Sequence, residues 1–172
     1  MLGGMSAIFE YFLAPSDDEA ARVLARVAGP SSPAATPKRG IFGKKAAQAA
    51  GPAPADLQVL DGVGIEPLVV LGSLESIVTK KSFKEILDAA GDPVVAAREG
   101  QEMVLRVSES IGPALAALTA EQRLDVAAEW AQIEEFFGMA DAKDLAEFIG
   151  DFAAFAADGT KQGLRLYCWW SL

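Results

Sequence analysis

Carboxylates are the side chains with chemical potential that this sequence spaces most regularly. Glu121, Asp125 and Glu129 recur every four residues, and Glu134 and Glu135 follow about one turn later. On a helix, positions four apart share a face, so the first three predict an acidic stripe. Such a stripe can be solvated surface, a surface for a basic partner, or a site for a hard cation. We favour solvated surface first and a partner second, because apolar residues recur on the opposite face: Val126, Trp130, Ile133 and Phe137.

Glu134 and Glu135 also form a candidate acid–base pair. Two carboxylates can catalyse hydrolysis when burial raises the pKa of one of them. Both glutamates lie close to Trp130 and to Phe136 in the sequence, which would exclude water from one side. We therefore keep a carboxylate-dependent hydrolase, or a small-molecule binder that uses this pair with Trp130, as an alternative function.

An aromatic segment near the end of the chain, residues 167–170, is a third candidate. In a strand, Tyr167 and Trp169 share one face while Cys168 and Trp170 share the other. One face is expected to be core. The other is favoured as core covered by helices, and Tyr167 and Trp169 as anchors for a partner are the alternative. Cys168 is not expected to be a nucleophile, because an apolar strand raises the pKa of a thiol.

Missing residue types exclude several kinds of catalytic site. The 172 residues contain no histidine, no asparagine and one cysteine. Ser-His and Cys-His nucleophile pairs and histidine-ligated metal sites therefore cannot be built from this chain alone. We predict no catalytic residues, no cofactor and no metal site.

Charge is divided unevenly along the chain. The net charge is −9, but residues 29–55 carry +4 and no acid, which leaves −13 for the remainder. An acidic body repels phosphate backbones, so nucleic acid is not an expected partner, whereas a basic protein is. No uncharged apolar run is long enough to span a bilayer. A lone cysteine cannot form an internal disulfide, which is typical of the cytoplasm.

The elements that would position these residues predict an α+β fold, with a mainly antiparallel sheet of about five strands and helices packed on it. The predicted order is β-α-linker-β-α-α-β-β-α-α-α-β. Ser-x-x-Glu and Thr-x-x-Gln boxes predict helix starts at Ser16, Ser82 and Thr119. The last of these begins the longest predicted helix, which runs to Phe137. A further helix is expected to run from Asp141 to about Ala157, where Asp158 and Gly159 would close it.

Three segments are predicted along the chain. Residues 1–28 supply a first strand and helix, and residues 56–172 complete the same domain. Residues 29–55 hold five of the nine prolines, which predicts a linker or long loop. Within that loop, Ile41 and Phe42 lie between basic residues. We favour a disordered insertion that its lysines keep soluble, and the alternative is a short docking segment for a partner or an anionic surface.

Three stretches carry a resemblance to known proteins. They are residues 68–84, residues 130–138 (WAQIEEFFG) and residues 164–170 (LRLYCWW). These stretches resemble an uncharacterised family of small actinobacterial proteins, and the layout is more remotely similar to the YfbM-like group. The resemblance implies a fold class and a bacterial cytosol, and it transfers no catalytic residue.

The sequence favours a binding protein over an enzyme. We expect a non-enzymatic module, plausibly of the immunity or antitoxin type, whose acidic surface receives a basic partner. Its candidate contact residues are Asp125, Glu129, Trp130, Glu134, Glu135, Tyr167 and Trp169. A further alternative is a subunit of a larger assembly that docks through residues 29–55.

Overall fold

The structure, a computed structural model, describes residues 7–26, 28–32, 57–62 and 64–172. Its five strands are β1 (Ile8–Ala14), β2 (Val59–Asp61), β3 (Val95–Ala97), β4 (Glu102–Arg106) and β5 (Arg165–Ser171). Its six α-helices are α1 (Asp17–Ala21), α2 (Val70–Thr79), α3 (Phe83–Ala90), α4 (Ile111–Ala116), α5 (Ala120–Trp130) and α6 (Ala142–Lys161). The predicted α+β class and the predicted order of strands and helices are confirmed.

All five strands belong to one antiparallel sheet, in the order β2-β1-β5-β4-β3. The last strand therefore lies at its centre, between the first strand and β4. Tyr11 of β1 is paired with Cys168 of β5, and Phe12 is paired with Tyr167. Because side chains alternate between faces, this register gives the sheet two aromatic faces.

Both faces of the sheet are buried. Tyr11, Cys168 and Trp170 face the layer formed by α2, α4, α5 and α6. Tyr167 and Trp169 lie on the opposite face, where Ala20 and Val23 cover them. Coverage on both sides explains why the strands are rich in aromatic and branched residues without a polar face.

The longest helix is α6, not the helix that begins at Thr119. The Thr119–Gln122 capping box forms as predicted, but α5 ends at Trp130 because Ile133 adopts extended backbone. A short 3-10 turn, Glu134–Phe136, follows. This break brings the ring of Phe136 back to Trp130, with ring centroids 5.4 Å apart. In a continuous helix, positions six apart would point in different directions.

Helix α6 also continues past its predicted end. Gly159 was expected to stop the helix near Ala157, but it lies inside α6 and is buried. A Cβ at Gly159 would lie 2.6 Å from Leu13 Cδ2. Glycine is needed here because the helix touches β1, so this residue marks close packing and not a helix end.

The chain after α1 packs onto the sheet before it leaves the described part of the structure. Gly29 and Pro30 are buried, although they begin the segment predicted as a linker. The Glu10 carboxylate accepts hydrogen bonds from Ser31 N at 3.1 Å and Ser31 Oγ at 2.6 Å. The apolar and basic island at residues 41–45, and the loop predicted around it, lie outside the described residues.

Candidate functional site

The three aromatic residues predicted to contact a partner are buried. Trp130 and Tyr167 have no exposed surface, and Trp169 is also within the core. The indole of Trp130 donates a hydrogen bond from Nε1 to the Val70 carbonyl oxygen at 2.9 Å, which fixes α5 against α2. Their burial agrees with the core positions that the sequence favoured, so these three rings, offered as candidate partner contacts, do not form an exposed surface.

The four predicted carboxylates are exposed, but the fold separates them. Asp125 and Glu129 lie on the solvent side of α5, while Glu134 and Glu135 lie in the 3-10 turn after it. Glu135 lines a groove that Glu134 does not line. The predicted pair therefore does not share a cleft with Trp130, whose ring is buried.

The groove beside Glu135 combines aromatic and acidic residues. It has a volume of about 720 Å³ and lies between β2, residues 135–141 and the first half of α6. Ile65, Leu145 and Phe148 form its apolar floor. Six carboxylates surround that floor: Asp61, Glu135, Asp141, Asp144, Glu147 and Asp151. No Lys or Arg is among the described residues that line the groove.

Two large apolar side chains are exposed at the groove. Phe137 and Met139 line it, and each retains 82% of its surface exposed. Phe137 was expected in the core, at the end of a continuous helix. The break after Trp130 instead places its ring in solvent, while Phe136 takes the position against Trp130.

The backbone of Phe137 adopts the left-handed conformation, with φ 52° and ψ 27°. This region costs an ordinary residue roughly 1–2 kcal/mol relative to the right-handed one, and glycine adopts it without that cost. The next residue, Gly138, also has positive φ, at 69°. A large apolar ring is therefore held in solvent on a backbone that favours glycine, which is a pattern typical of a contact residue.

A row of carboxylates on α6 forms one wall of the groove. Asp144, Glu147 and Asp151 are three and four residues apart, so they lie on one face of the helix. All three are exposed, and none forms an ion pair with another described residue. Like charges at this spacing repel one another, so a cationic ligand would stabilise them.

Aromatic packing holds the groove in shape from below. Phe148, on the groove side of α6, lies 6.1 Å from the ring centroid of Trp130 and 5.7 Å from that of Phe152. Asp141 caps α6, because its side chain accepts hydrogen bonds from Lys143 N at 2.8 Å and Asp144 N at 3.3 Å. The buried Trp130 thus supports the groove from below and does not line it.

Sequence reasoning missed the acidic row on α6 and the exposure of Phe137. The sequence does contain the pattern, because the carboxylates at positions 144, 147 and 151 alternate with the apolar residues Leu145 and Phe148. The stripe on α5 has a similar one-face spacing, but it does not line this groove. The exposure of Phe137 had no sequence counterpart, because it depends on where α5 ends.

Within the described ranges, no three or more Asp, Glu or Cys side chains converge as metal ligands would. None of the helices in that part of the chain combines the length and apolar character needed to cross a bilayer.

No family model, curated protein or solved structure matches this chain. The resemblance to small actinobacterial proteins therefore stays a prediction.

Proposed function

We propose that this protein is a non-catalytic binding module whose groove receives a basic, amphipathic segment of a partner protein. The observation that carries the proposal is Phe137, which is 82% exposed on left-handed backbone at the rim of an acidic groove. Stability alone gives no reason to keep a phenyl ring there. A partner that covers Phe137 and Met139 would remove apolar surface from water.

Charge defines the chemistry of the partner segment. The groove presents carboxylates around an apolar floor, so the best occupant places an aliphatic or aromatic pair between Lys or Arg residues. Complementary charge raises the association rate and discriminates against acidic segments. A basic toxin neutralised by an acidic immunity or antitoxin-type protein is a pairing of this kind, and it is the class we propose.

The chain supplies a probe of suitable chemistry in its own sequence. Residues 38–45 read KRGIFGKK, with one aliphatic and one aromatic residue between two pairs of cations. A fluorescein-labelled peptide of this sequence, followed by fluorescence anisotropy, tests the groove. We expect saturable binding that weakens between low and high salt, because exposed ion pairs are screened. A peptide with all four cations replaced by Gln is the matched control.

The peptide is added to two versions of the protein, here called hosts, so that the result decides between the outcomes. One is the full chain, and the other is the full chain with the four cations of residues 38–45 changed to Gln and Ile41 and Phe42 changed to Ser. Equal binding to both hosts supports a groove open to a partner. Binding to the altered host alone would assign the groove to this chain's own segment. Binding to neither would overturn the proposed function.

A further inference from the structure

A second cavity, of about 280 Å³, lies between α2, α3 and the loop that joins β4 to α4. Glu75 of α2 lines this cavity. This residue is only 5% exposed, and among the described residues it is the charged residue that the fold buries. Its Oε1 atom accepts hydrogen bonds from Ser108 Oγ at 2.6 Å and Ser110 Oγ at 2.5 Å. The two serine hydroxyls are 2.9 Å apart. Helix α2 and this loop therefore place a carboxylate and two hydroxyls together at the cavity.

This buried carboxylate has no counter-ion among the described residues. None of their Lys or Arg side chains lies within ion-pair distance of Glu75. Its second oxygen, Oε2, accepts no hydrogen bond from them. Buried carboxylates are normally paired with a cation, because desolvation otherwise penalises the charge. Glu75 thus offers the cavity an acceptor oxygen that lacks a cationic partner.

The remaining lining restricts the ligand. Leu71, Ile86 and Leu87 provide apolar walls. The other charged lining residues are Lys81, Glu85, Arg106 and Glu109. Arg106 already donates to Asp17, with Nε 3.1 Å from Oδ1, and Glu85 closes the capping box with Ser82. These two charges are therefore engaged elsewhere, and Lys81 is exposed at the rim.

We infer that this cavity binds a small aliphatic ammonium. The ammonium donates to Glu75 Oε2, and its carbon chain packs between Leu71 and Ile86. An anion is disfavoured, because it would have to approach the buried Glu75 charge. The volume suits a molecule of a few carbon atoms and is too small for a peptide segment. This site is separate from the acidic groove and does not depend on the proposed function.

A matched series of probes tests the inference: n-butylammonium, n-butanol and butyrate. Titrations are followed by the backbone amide resonances of Ser108 and Ser110. We expect saturable shifts with n-butylammonium, weaker binding of n-butanol and no binding of butyrate. Glu75→Gln keeps an acceptor for both serines and should weaken n-butylammonium binding about tenfold, since charged hydrogen bonds are the stronger ones. Glu109→Gln removes a carboxylate from the same lining and should change it less than about twofold.

A second variant keeps the test valid if Glu75→Gln does not fold. Leu87 is partly exposed at the cavity, and Leu87→Trp narrows the cavity without touching Glu75. That variant should also lose n-butylammonium binding. The inference is overturned if the wild-type protein shows no saturable shift, if butyrate binds as well as n-butylammonium, or if Glu75→Gln binds n-butylammonium as the wild type does.

Discussion

The Tyr167 hydroxyl donates a hydrogen bond to Asp17 Oδ1 at 2.9 Å and so ties the central strand to the first turn of α1. The Arg106 guanidinium contacts the same carboxylate, with Nε 3.1 Å from Oδ1. The hydrogen bond from Arg106, which is the larger cause, and the one from Tyr167 hold the pKa of Asp17 below its usual range. Burial, which is the larger cause, and the hydrogen bond to Asp17 together raise the pKa of Tyr167 to about 12. One carboxylate thus joins α1, β4 and β5.

Asp17→Asn should lower the free energy of unfolding at neutral pH. A lowered folded-state pKa means that the Asp17 carboxylate stabilises the fold above its unfolded pKa, and that this contribution is lost as pH falls through the folded pKa. The difference between wild type and variant should therefore disappear in acid. Urea unfolding at neutral and acidic pH, followed by tryptophan fluorescence, measures it. Asp88→Asn, in an exposed pair with Lys84, is the control and should have little effect. A difference that stays constant with pH would contradict the charge-based explanation.

Gly29→Ala should destabilise the protein more than its positive φ alone requires. A Cβ at Gly29 (φ +81°) would lie 2.5 Å from Trp169 Cζ3, whereas at Gly163 (φ +68°) it would meet nothing within 4 Å. Gly163→Ala should cost about 1 kcal/mol for the left-handed backbone. Gly29→Ala should cost about 3 kcal/mol, because overpacking against the indole is added. Denaturant unfolding of the two variants measures the difference. Equal losses would show that the chain after α1 does not pack against Trp169 in solution.

Cys168 should resist thiol reagents in the folded protein. It is buried in β5, and burial, followed by the charge of Glu66, raises the pKa of its thiol well above the usual range. Only the thiolate reacts, so labelling requires the sheet to open. Iodoacetamide labelling, followed by mass spectrometry, should be slow in native buffer and accelerate with urea. Rapid complete labelling without urea would show that β5 is not the central strand in solution.

Local sequence patterns predicted most of the fold because the interactions that decide those elements are local. The Ser82–Glu85 and Thr119–Gln122 boxes form reciprocally, and the two consecutive strands of the predicted order, β3 and β4, pair around residues 98–101. The end of α5 was missed because it depends on Phe136 reaching Trp130, a tertiary contact. Gly159 was misjudged for the same reason, since its role depends on Leu13 of a distant strand. The groove was missed for the first of these reasons, because the end of α5 positions Glu135, Phe137 and Met139 along it.

Removing the acidic row on α6 should weaken binding of the KRGIFGKK peptide. The variant Asp144→Asn, Glu147→Gln, Asp151→Asn deletes three exposed carboxylates at the groove. At about 0.5 kcal/mol for each exposed ion pair, the affinity should fall about tenfold. The dependence on salt should become shallower as well. Fluorescence anisotropy at two salt concentrations measures both effects.

The stripe on α5 provides the matched control for that variant. Glu121→Gln, Asp125→Asn, Glu129→Gln removes the same number of charges from another exposed helix face. If the groove is the binding site, this variant should bind the peptide within about twofold of wild type, since only long-range attraction changes. Equal weakening by both triple variants would mean that net charge, not the groove, attracts the peptide.

Phe137→Ala should separate binding from stability. The ring is exposed, so its removal leaves no cavity, and the free energy of unfolding should change by less than about 1 kcal/mol. Covering the ring with a partner should contribute about 2 kcal/mol, so peptide affinity should fall roughly 30-fold. Leu124→Ala, an apolar residue 49% exposed on α5, controls for the loss of exposed apolar surface and should leave affinity unchanged. A clear loss of stability with unchanged affinity would make Phe137 a structural residue, because its ring would then stabilise the turn after α5 and take no part in binding.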